Sequence, residues 1–286
     1  MLEVLQLLIY GVVVGSIISL AAIGVSLTFG ILRFANFSAG DLMTLGAYLA
    51  LALVAGIGLP MPVAFVIAAA ATAVSALVID RVVYRHLRRS PPVILLISSF
   101  GMALILRSLV QLIWGSSNQV YEPGIELPLV IAGLRIKEDQ LYILGGTVLL
   151  VIAFHLFLQR SKIGKAMRAM SDNVDLARVT GIDTERVVLW TWILAGILAA
   201  AAGIFLGLDT RLHPVMGFRL LLPIFAAAIL GGIGKPYGAI VGGMVIGIAQ
   251  EMSTLFLAPP YKDAVAFAIL VLMLIVRPQG LLGGRA

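Results

Sequence analysis

The composition of this 286-residue chain is typical of a membrane protein. Apolar residues make up 61% of it and charged residues only 12%, whereas soluble domains are about half apolar and about a quarter charged. An apolar helix needs about 20 residues to cross the hydrocarbon of a bilayer, so the chain has room for roughly eight spans. Soluble enzymes, nucleic-acid-binding proteins and disordered proteins are therefore excluded, and the net charge of +6 fits basic cytoplasmic loops.

Motifs for catalysis and for metal binding are absent from the sequence. The chain has no cysteine, which excludes disulfides, thiolate nucleophiles and Cys-ligated metals. Its three histidines are far apart and have no carboxylates at metal-ligand spacing. The run GGIGKPYG at 231–238 resembles a phosphate loop, but Pro236 follows Lys235 where a P-loop has Ser or Thr. We therefore expect this chain to have no catalytic residue, no cofactor and no metal.

Nine hydrophobic blocks follow one another along the chain. They lie at about 5–31, 41–59, 61–80, 92–114, 141–158, 187–208, 219–233, 236–257 and 261–277. The first block is too long for a signal peptide and is expected to remain as the first span. The seventh block is short and ends in glycines, so it forms either a short or broken helix or a full crossing. The polar stretch 31–41 requires protein or a watery cavity around it.

Basic residues in two loops predict the orientation. Four arginines lie within 81–89 and six Lys or Arg residues within 160–186, and two spans separate the two segments. Both segments therefore face one side, which the positive-inside rule assigns to the cytoplasm, while loop 115–140 lies outside. We predict an all-α polytopic transmembrane helical bundle of about eight spans, with the N-terminus outside and the C-terminus inside. Residues 1–286 are expected to form a single domain.

Segment 160–186 is predicted to contain one short amphipathic helix. Apolar residues spaced by three or four positions define one face of this helix. They are Ile163, Met167, Met170, Val174 and Ala177. Gly181 suits the left-handed conformation after a helix end, and Thr184 is expected to cap the next helix. The pattern alone favours contact with lipid headgroups over docking into a groove of a soluble partner.

Polar side chains within the spans are candidates for a solute path, because such groups usually face protein or a cavity. They are Asn36, Ser38, Asp41, Ser98, Ser99, Arg107, Gln250 and Glu251. Asn36, Ser38 and Asp41 have the alternative role of capping a helix, and the two later serines that of bonding to their own helix backbone. Arg107 and Glu251 both lie toward the outer ends of their spans and can form an ion pair, for which a static clamp is favoured over a charge relay.

Glycines four residues apart favour close packing between spans, since small residues let two helix backbones approach each other. Four such pairs occur in apolar segments. They are Gly11 and Gly15, Gly203 and Gly207, Gly238 and Gly242, and Gly243 and Gly247.

Three segments resemble one family, and they occur in the family's order. They are SLAAIGVSLTFGILRFANFSAGDLMTLGAY at 19–48, SKIGKAMRAMSDNVDLARVTGID at 161–183, and FAAAILGGIGKPYGAIVGG at 225–243, followed by RPQGL at 277–281. Together they resemble the inner-membrane permeases of the high-affinity branched-chain amino acid ABC importers. The resemblance implies a subunit of the bacterial inner membrane that works with a second permease and an extracytoplasmic solute-binding protein. It also implies two cytoplasmic ATPase subunits, which would bind ATP and Mg.

In such importers a helix between two spans contacts the ATPase, so the resemblance favours docking over lipid contact for 160–186. The residues that it assigns to ATPase coupling are Gly164, Ala166, Met167, Arg168, Ala169, Met170, Gly181 and Ile182. Where the family often has A-H-G-E, this chain has Ser38, Ala39, Gly40 and Asp41. The implied solutes therefore extend from branched-chain and related amino acids to amides, urea and small organic acids.

The alternative function from another class is a self-sufficient channel or ion-coupled secondary transporter, which would use Glu251, Arg107 or Asp209. The spans contain few acids, whereas proton-coupled carriers usually need several. A membrane enzyme would need a nucleophile–base pair or a metal site, and a structural anchor would not explain polar residues at membrane depth. The predicted function is transport as the permease subunit of an importer.

Overall fold

The structure is a computed structural model that describes residues 2–121, 128–131 and 133–282, and most of these residues are helical. The helices are α1 (Leu2–Leu32), α2 (Ser38–Leu51), α3 (Met61–Ile79), α4 (Pro92–Trp114), α5 (Glu138–Arg160), α6 (Lys162–Asp172), α7 (Val174–Val179), α8 (Thr184–Asp209), α9 (Met216–Gly231), α10 (Pro236–Ser253) and α11 (Lys262–Val276). Turns of π-helix extend α2 over Ala52–Gly56 and α3 over Asp80–Tyr84, and a small antiparallel hairpin pairs β1 (Leu129–Ile131) with β2 (Leu134–Ile136). The predicted all-α helical bundle is confirmed.

The first helix connects the two ends of the bundle. Near its start, the side-chain amide of Gln6 donates to the backbone carbonyl of Arg135 at 2.7 Å and accepts the N–H of Arg135 at 2.9 Å. Beyond its end, the guanidinium of Arg33 donates to the carbonyl of Ser171 in α6 at 2.6 Å. Loop 115–140 and segment 160–186 therefore lie at opposite ends of the bundle, as their charges predict.

The arginine-rich end of α3 lies beside α6 and α8. Arg88 donates to Glu185, in the first turn of α8, at 2.8 Å. Segments 81–89 and 160–186 consequently share one end of the bundle, which agrees with the prediction from their basic residues.

Helices long enough to cross a membrane number seven among the described residues, by length and composition. The described chain finishes at the α6 end, because the N–H of Leu281 donates to the carbonyl of Leu230 at 2.7 Å, and the turn after α9 places Gly234 beside Gly30 of α1. An even number of crossings would return the chain to its starting side. The predicted count of eight spans therefore does not agree with chain ends that lie at opposite ends of the bundle.

Glycines allow α10 to pack tightly between two other helices. Gly243 and Gly247 face α1, whereas Gly238 and Gly242 face α9. A Cβ added at any of these four positions would collide with the backbone of the neighbouring helix. The prediction that spaced glycines mark close packing is confirmed, and dispersion contacts between the backbones are the expected gain.

The helix α9 begins inside the bundle. Gly217, its second residue, packs directly against Gly40 of α2, and its N–H donates to the hydroxyl of Thr44 at 3.1 Å. With 16 residues, α9 is about 24 Å long, so it is the short helix that its sequence block predicts. Residues 210–215 run from the end of α8 into the interior to reach it.

Candidate functional site

The segment 160–186 forms two short helices, whereas the sequence predicted one. The side chain of Asn173 accepts the N–H of Leu176 at 3.0 Å and caps α7. Ser161 caps α6 in the same way, because its hydroxyl oxygen accepts the N–H of Gly164 at 2.8 Å. The prediction was wrong at Asn173, since a short amide side chain bonds to the nearby backbone and starts a new helix there.

The turn from α7 into α8 has the predicted glycine but a different cap. Gly181 has a φ of +83°, and the N–H of Ile182 donates to the carbonyl of Ala177 at 3.0 Å, which completes a Schellman motif. Thr184 was wrongly predicted as the next cap. It is the first residue of α8, and the side chain of Asp183 accepts a backbone N–H of the first turn at 3.1 Å.

The apolar face of α6 packs against this chain's own bundle. Met167 and Met170 are 1% and 4% exposed, and Gly164 lies against the backbone at the end of α5. In this structure Gly164, Met167 and Met170 are therefore inaccessible both to lipid headgroups and to a partner's groove, the two contacts that were predicted. The physical reason is that the nearest apolar surface available to an amphipathic helix beside a bundle is the bundle itself.

The opposite side of these helices is exposed, and we call it the α6–α7 surface. It consists of Lys165, Arg168, Ala169, Leu176, Val179 and Gly181. Leu176 and Val179 are 61% and 85% exposed, and sequence reasoning missed both. In the sequence, both residues could have been identified as apolar residues on an otherwise polar helix face. Among the residues predicted for coupling, Ala166 and Ile182 are half-buried at the edge of this surface.

The two short helices that carry the α6–α7 surface enclose a cavity against the bundle. The cavity has a volume of about 150 Å³ and lies between α1, α3 and the two short helices. At its edge the guanidinium of Arg88 donates to Asp80 at 2.5 Å and to Glu185 at 2.8 Å. These charge-assisted bonds connect the end of α3 to the start of α8.

The first group of predicted path residues lies where α2 begins. The side-chain oxygen of Asn36 accepts the N–H of Ser38 at 3.1 Å and its hydroxyl at 2.7 Å, and that hydroxyl lies 3.0 Å from the Tyr84 hydroxyl. Asn36 thus bonds to the backbone where α2 begins, but the capping role predicted for Asn36, Ser38 and Asp41 was wrong: the cap position is Phe37, without a side-chain cap bond, and Ser38 and Asp41 lie inside the helix. Ser99 donates to a carbonyl of its own helix at 2.7 Å, as predicted, and accepts the N–H of Phe37 at 3.1 Å.

Neighbouring Ser98 is half-buried. Its hydroxyl makes no hydrogen bond within the described ranges. It does not join the cluster around Asn36.

The second group is an ion pair between α2 and α4. The guanidinium of Arg107 donates from Nε and Nη2 to the two carboxylate oxygens of Asp41, both at 3.0 Å. The side chain of Asp41 is 1% exposed. Arg107 also lies 4.2 Å above the ring of Phe218, a cation–π contact. This bidentate pair therefore connects α2, α4 and α9.

The third group lies at the far end of α10. The amide of Gln250 donates to Asp263 at 3.3 Å, and the ammonium of Lys262 donates to Glu251 at 2.6 Å. The ion pair predicted between Arg107 and Glu251 was wrong, because α4 packs against α2 whereas α10 packs against α1, α9 and α11. The predicted path residues therefore form three separate groups.

The chain that enters α9 is held by the loop after α4. Gln119 and Leu212 exchange two backbone hydrogen bonds of 2.9 Å. The hydroxyl of Tyr121 donates to the carbonyl of Ala47 at 3.2 Å, and burial raises the pKa of this phenol well above its usual range. Tyr121 therefore remains a neutral donor at any ordinary pH.

Arg219, one turn into α9, is a charged residue that sequence reasoning missed. Its side chain is exposed, and it makes no hydrogen bond or ion pair with any residue that the structure describes. The sequence signal was its position as the first residue of the block 219–233, where a charge resembles an ordinary loop boundary. In the structure Arg219 belongs to the first turn of α9, a helix that begins inside the bundle, although its side chain is exposed.

The fold and these polar groups define a multi-pass membrane protein of the transport permease class. Residues 7–274 match the family described as branched-chain amino acid transport system, permease component. The chain belongs to this family, as the three sequence segments predict.

Relatives in this family match nearly the whole chain. The chain is 34% identical to the high-affinity branched-chain amino acid transport system permease protein LivH of Escherichia coli (strain K12), over 98% of this chain and 95% of LivH. Identity and coverage are the same for the corresponding permease BraD of Pseudomonas aeruginosa. A probable branched-chain amino acid transport permease of Methanocaldococcus jannaschii is 30% identical over 95% of this chain and 90% of its own.

A solved structure shares the fold. PsaBC from Streptococcus pneumoniae, in complex with Fab, aligns with a TM-score of 0.54 over 96% of this chain and 92% of its own. Because the identity is 14%, this likeness concerns the fold alone.

Proposed function

We propose that this chain is the permease subunit of an ATP-driven importer in the bacterial inner (plasma) membrane. Its solutes are branched-chain or related amino acids, with amides, urea and small organic acids as the wider class. The names of LivH and BraD support this proposal. The subunit is non-catalytic over its single domain, 1–286, and the ATP and Mg of the cycle bind to partner ATPases.

The proposed topology places the α6–α7 end of the bundle in the cytoplasm. That end holds the basic segments 81–89 and 160–186, and short cytoplasmic loops are enriched in Lys and Arg. The N-terminus is then outside and residue 282 inside, with nine crossings. An extracytoplasmic binding protein would deliver solute to the outer end.

The observation that carries the proposal is the exposed α6–α7 surface on a firmly attached pair of helices. Leu176 and Val179 lie three residues apart on α7, so they form an adjacent apolar pair that is open to solvent at the basic end, and we assign this pair to the contact with the ATPase. Buried Met167 and Met170 join the same helices to the bundle. Movement of a docked ATPase would therefore be transmitted to α5 and α8.

The path would lie between this chain and a second, similar permease. The groups of Asn36, Ser38 and Ser99 and of the Asp41–Arg107 pair lie where α2 contacts α4, and Arg107 also contacts Phe218 of α9. ATP-driven closure of the motor can shift the spans between two arrangements if it contacts one arrangement more favourably than the other.

Capture of the ATPase tests the proposal. Tagged permease is co-expressed with the second permease and the ATPase, and the co-purified ATPase is quantified. Val179→Asp and Leu176→Asp are expected to abolish capture, because a carboxylate cannot be buried unpaired in an apolar contact. The matched control is Phe256→Asp, which removes a side chain 88% exposed beyond α10 at the opposite end. Equal capture by all three variants would contradict the assignment of this surface.

A further inference from the structure

The side chain of Arg219 is exposed at the middle depth of the bundle. It lies twelve residues before Gly231, where α9 ends beside the cytoplasmic end of α1. A rise of 1.5 Å per residue places its Cα about 18 Å from that end, and the hydrocarbon of a bilayer is about 30 Å thick. The guanidinium therefore belongs to a depth at which lipid is a poor neighbour for a charge.

Two other charged residues of the helices, Arg107 and Glu251, are paired within the chain. Arg107 is paired with Asp41 and Glu251 with Lys262. The guanidinium of Arg219 has no such partner in the part of the chain that the structure describes. The side of α9 that carries it must therefore meet water, a solute or another protein in the assembled transporter.

The same side of α9 offers further groups that suit an amino acid. Phe218 and Leu222 are 37% and 40% exposed, and Phe225 is half-buried beside them. Pro223 lacks the N–H that would bond to the carbonyl of Arg219, so this carbonyl has no helical donor four residues on. A cation, a carbonyl oxygen and an apolar wall match a carboxylate, an ammonium and an apolar side chain.

We propose that Arg219 binds the carboxylate of the solute in the translocation path, with Phe218 and Leu222 contacting the solute's apolar side chain. This inference rests on the proposed function, because the importer's path supplies the water and the second permease closes its other side. The ligand class is an α-amino acid with an apolar side chain.

Cysteine labelling tests whether position 219 faces water. Since the chain has no cysteine, single variants Arg219→Cys and Leu222→Cys can be treated in native membranes with a charged, water-soluble methanethiosulfonate. Val148→Cys is the matched control, because Val148 is 58% exposed in the middle of α5 and faces lipid. Both α9 variants are expected to react many times faster than the control, because the reactive thiolate forms only where water is available. Reaction as slow as that of Val148→Cys would overturn the proposal.

A charge series tests carboxylate binding. The complete importer is reconstituted with its ATPases and binding protein, and uptake of L-leucine and hydrolysis of ATP are both measured. Arg219→Gln is expected to lower uptake by about tenfold, the effect of losing one charge-assisted hydrogen bond, while ATP hydrolysis continues. Arg219→Lys is expected to retain most uptake, and Arg81→Gln, at an exposed arginine of the cytoplasmic end, to retain all of it.

Two results would overturn carboxylate binding. Unchanged uptake in Arg219→Gln shows that the guanidinium does not contact the solute, and loss of the second permease from the purified complex shows that it joins subunits instead. If the unaltered importer does not take up L-leucine, the proposed function fails, and the labelling rate at position 219 still decides whether this side of α9 lines an aqueous path.

Discussion

The most apolar stretches of α1 and α5 are equally hydrophobic, but the first lies at the centre of the bundle and the second at its periphery. In the most apolar stretch of α1, 72% of the residues are buried within the chain, against 22% in α5. Of the four glycines of α1, Gly11 and Gly15 meet the backbone of α10. Of the two glycines of α5, Gly146 meets only the side chain of Phe205 and Gly145 has no neighbour within 4 Å. Hydropathy therefore identifies a membrane span but does not determine its position in the bundle. Close contact between helix backbones decides which spans form the centre of the bundle.

The largest loss of stability is expected when one member of a buried ion pair is removed, because the remaining charge has no other partner. Asp41→Asn would leave Arg107 unpaired between α2, α4 and α9 and is expected to destabilise the protein by about 4 kcal/mol. Thermal unfolding of the purified permease in detergent measures this change. The double variant Asp41→Asn with Arg107→Gln should recover much of the loss, and a single variant as stable as the unaltered protein would show that the pair is not structural.

A smaller loss is expected from overpacking the centre. Gly15→Leu would push a side chain into the backbone of α10, where a Cβ already comes within 3.0 Å of the Met244 Cα, and should cost about 3 kcal/mol. Gly145→Leu is the matched change in α5 and should not lower the unfolding temperature, because nothing lies within 4 Å of that position. Equal effects of the two changes would remove the distinction between α1 and α5.

The smallest effect has the opposite sign. Gly145→Ala is expected to raise stability by about 0.5–1 kcal/mol, since alanine favours a helix and fits into open space. Gly247→Ala, in α10, would collide with the backbone of α1 and should lower stability. The two unfolding temperatures, measured side by side, should move in opposite directions, and movement in the same direction would contradict the packing described for α10.

Much of the architecture was predictable from local pattern. The hydrophobic blocks match the helices α1 to α5 and α8 to α11 within a few residues, apart from the end of α2, and Gly181 has the predicted left-handed conformation. These features depend on residues that are close together in the sequence, so a short stretch of sequence is enough to predict them. The break at Asn173 is also local, but it was missed because the apolar spacing continues through it.

The candidate sites were less predictable, because contacts between helices decide them. Arg107 pairs with Asp41, although Glu251 was expected. Met167 faces the bundle, although its apolar pattern favoured lipid headgroups and the family resemblance favoured a partner. The spacing of a helix face is visible in the sequence, whereas its neighbour depends on which helices pack together.

The sequence alone determined that this protein is a helical membrane permease, which end of it is basic and where close packing is possible, because hydrophobicity, charge and residue size are properties of single positions. The tertiary structure decided which charges are paired, which apolar face of α6–α7 remains open, and that Arg219 forms no ion pair with the described residues. Those outcomes depend on distances between segments far apart in the chain, and only the packed bundle sets such distances.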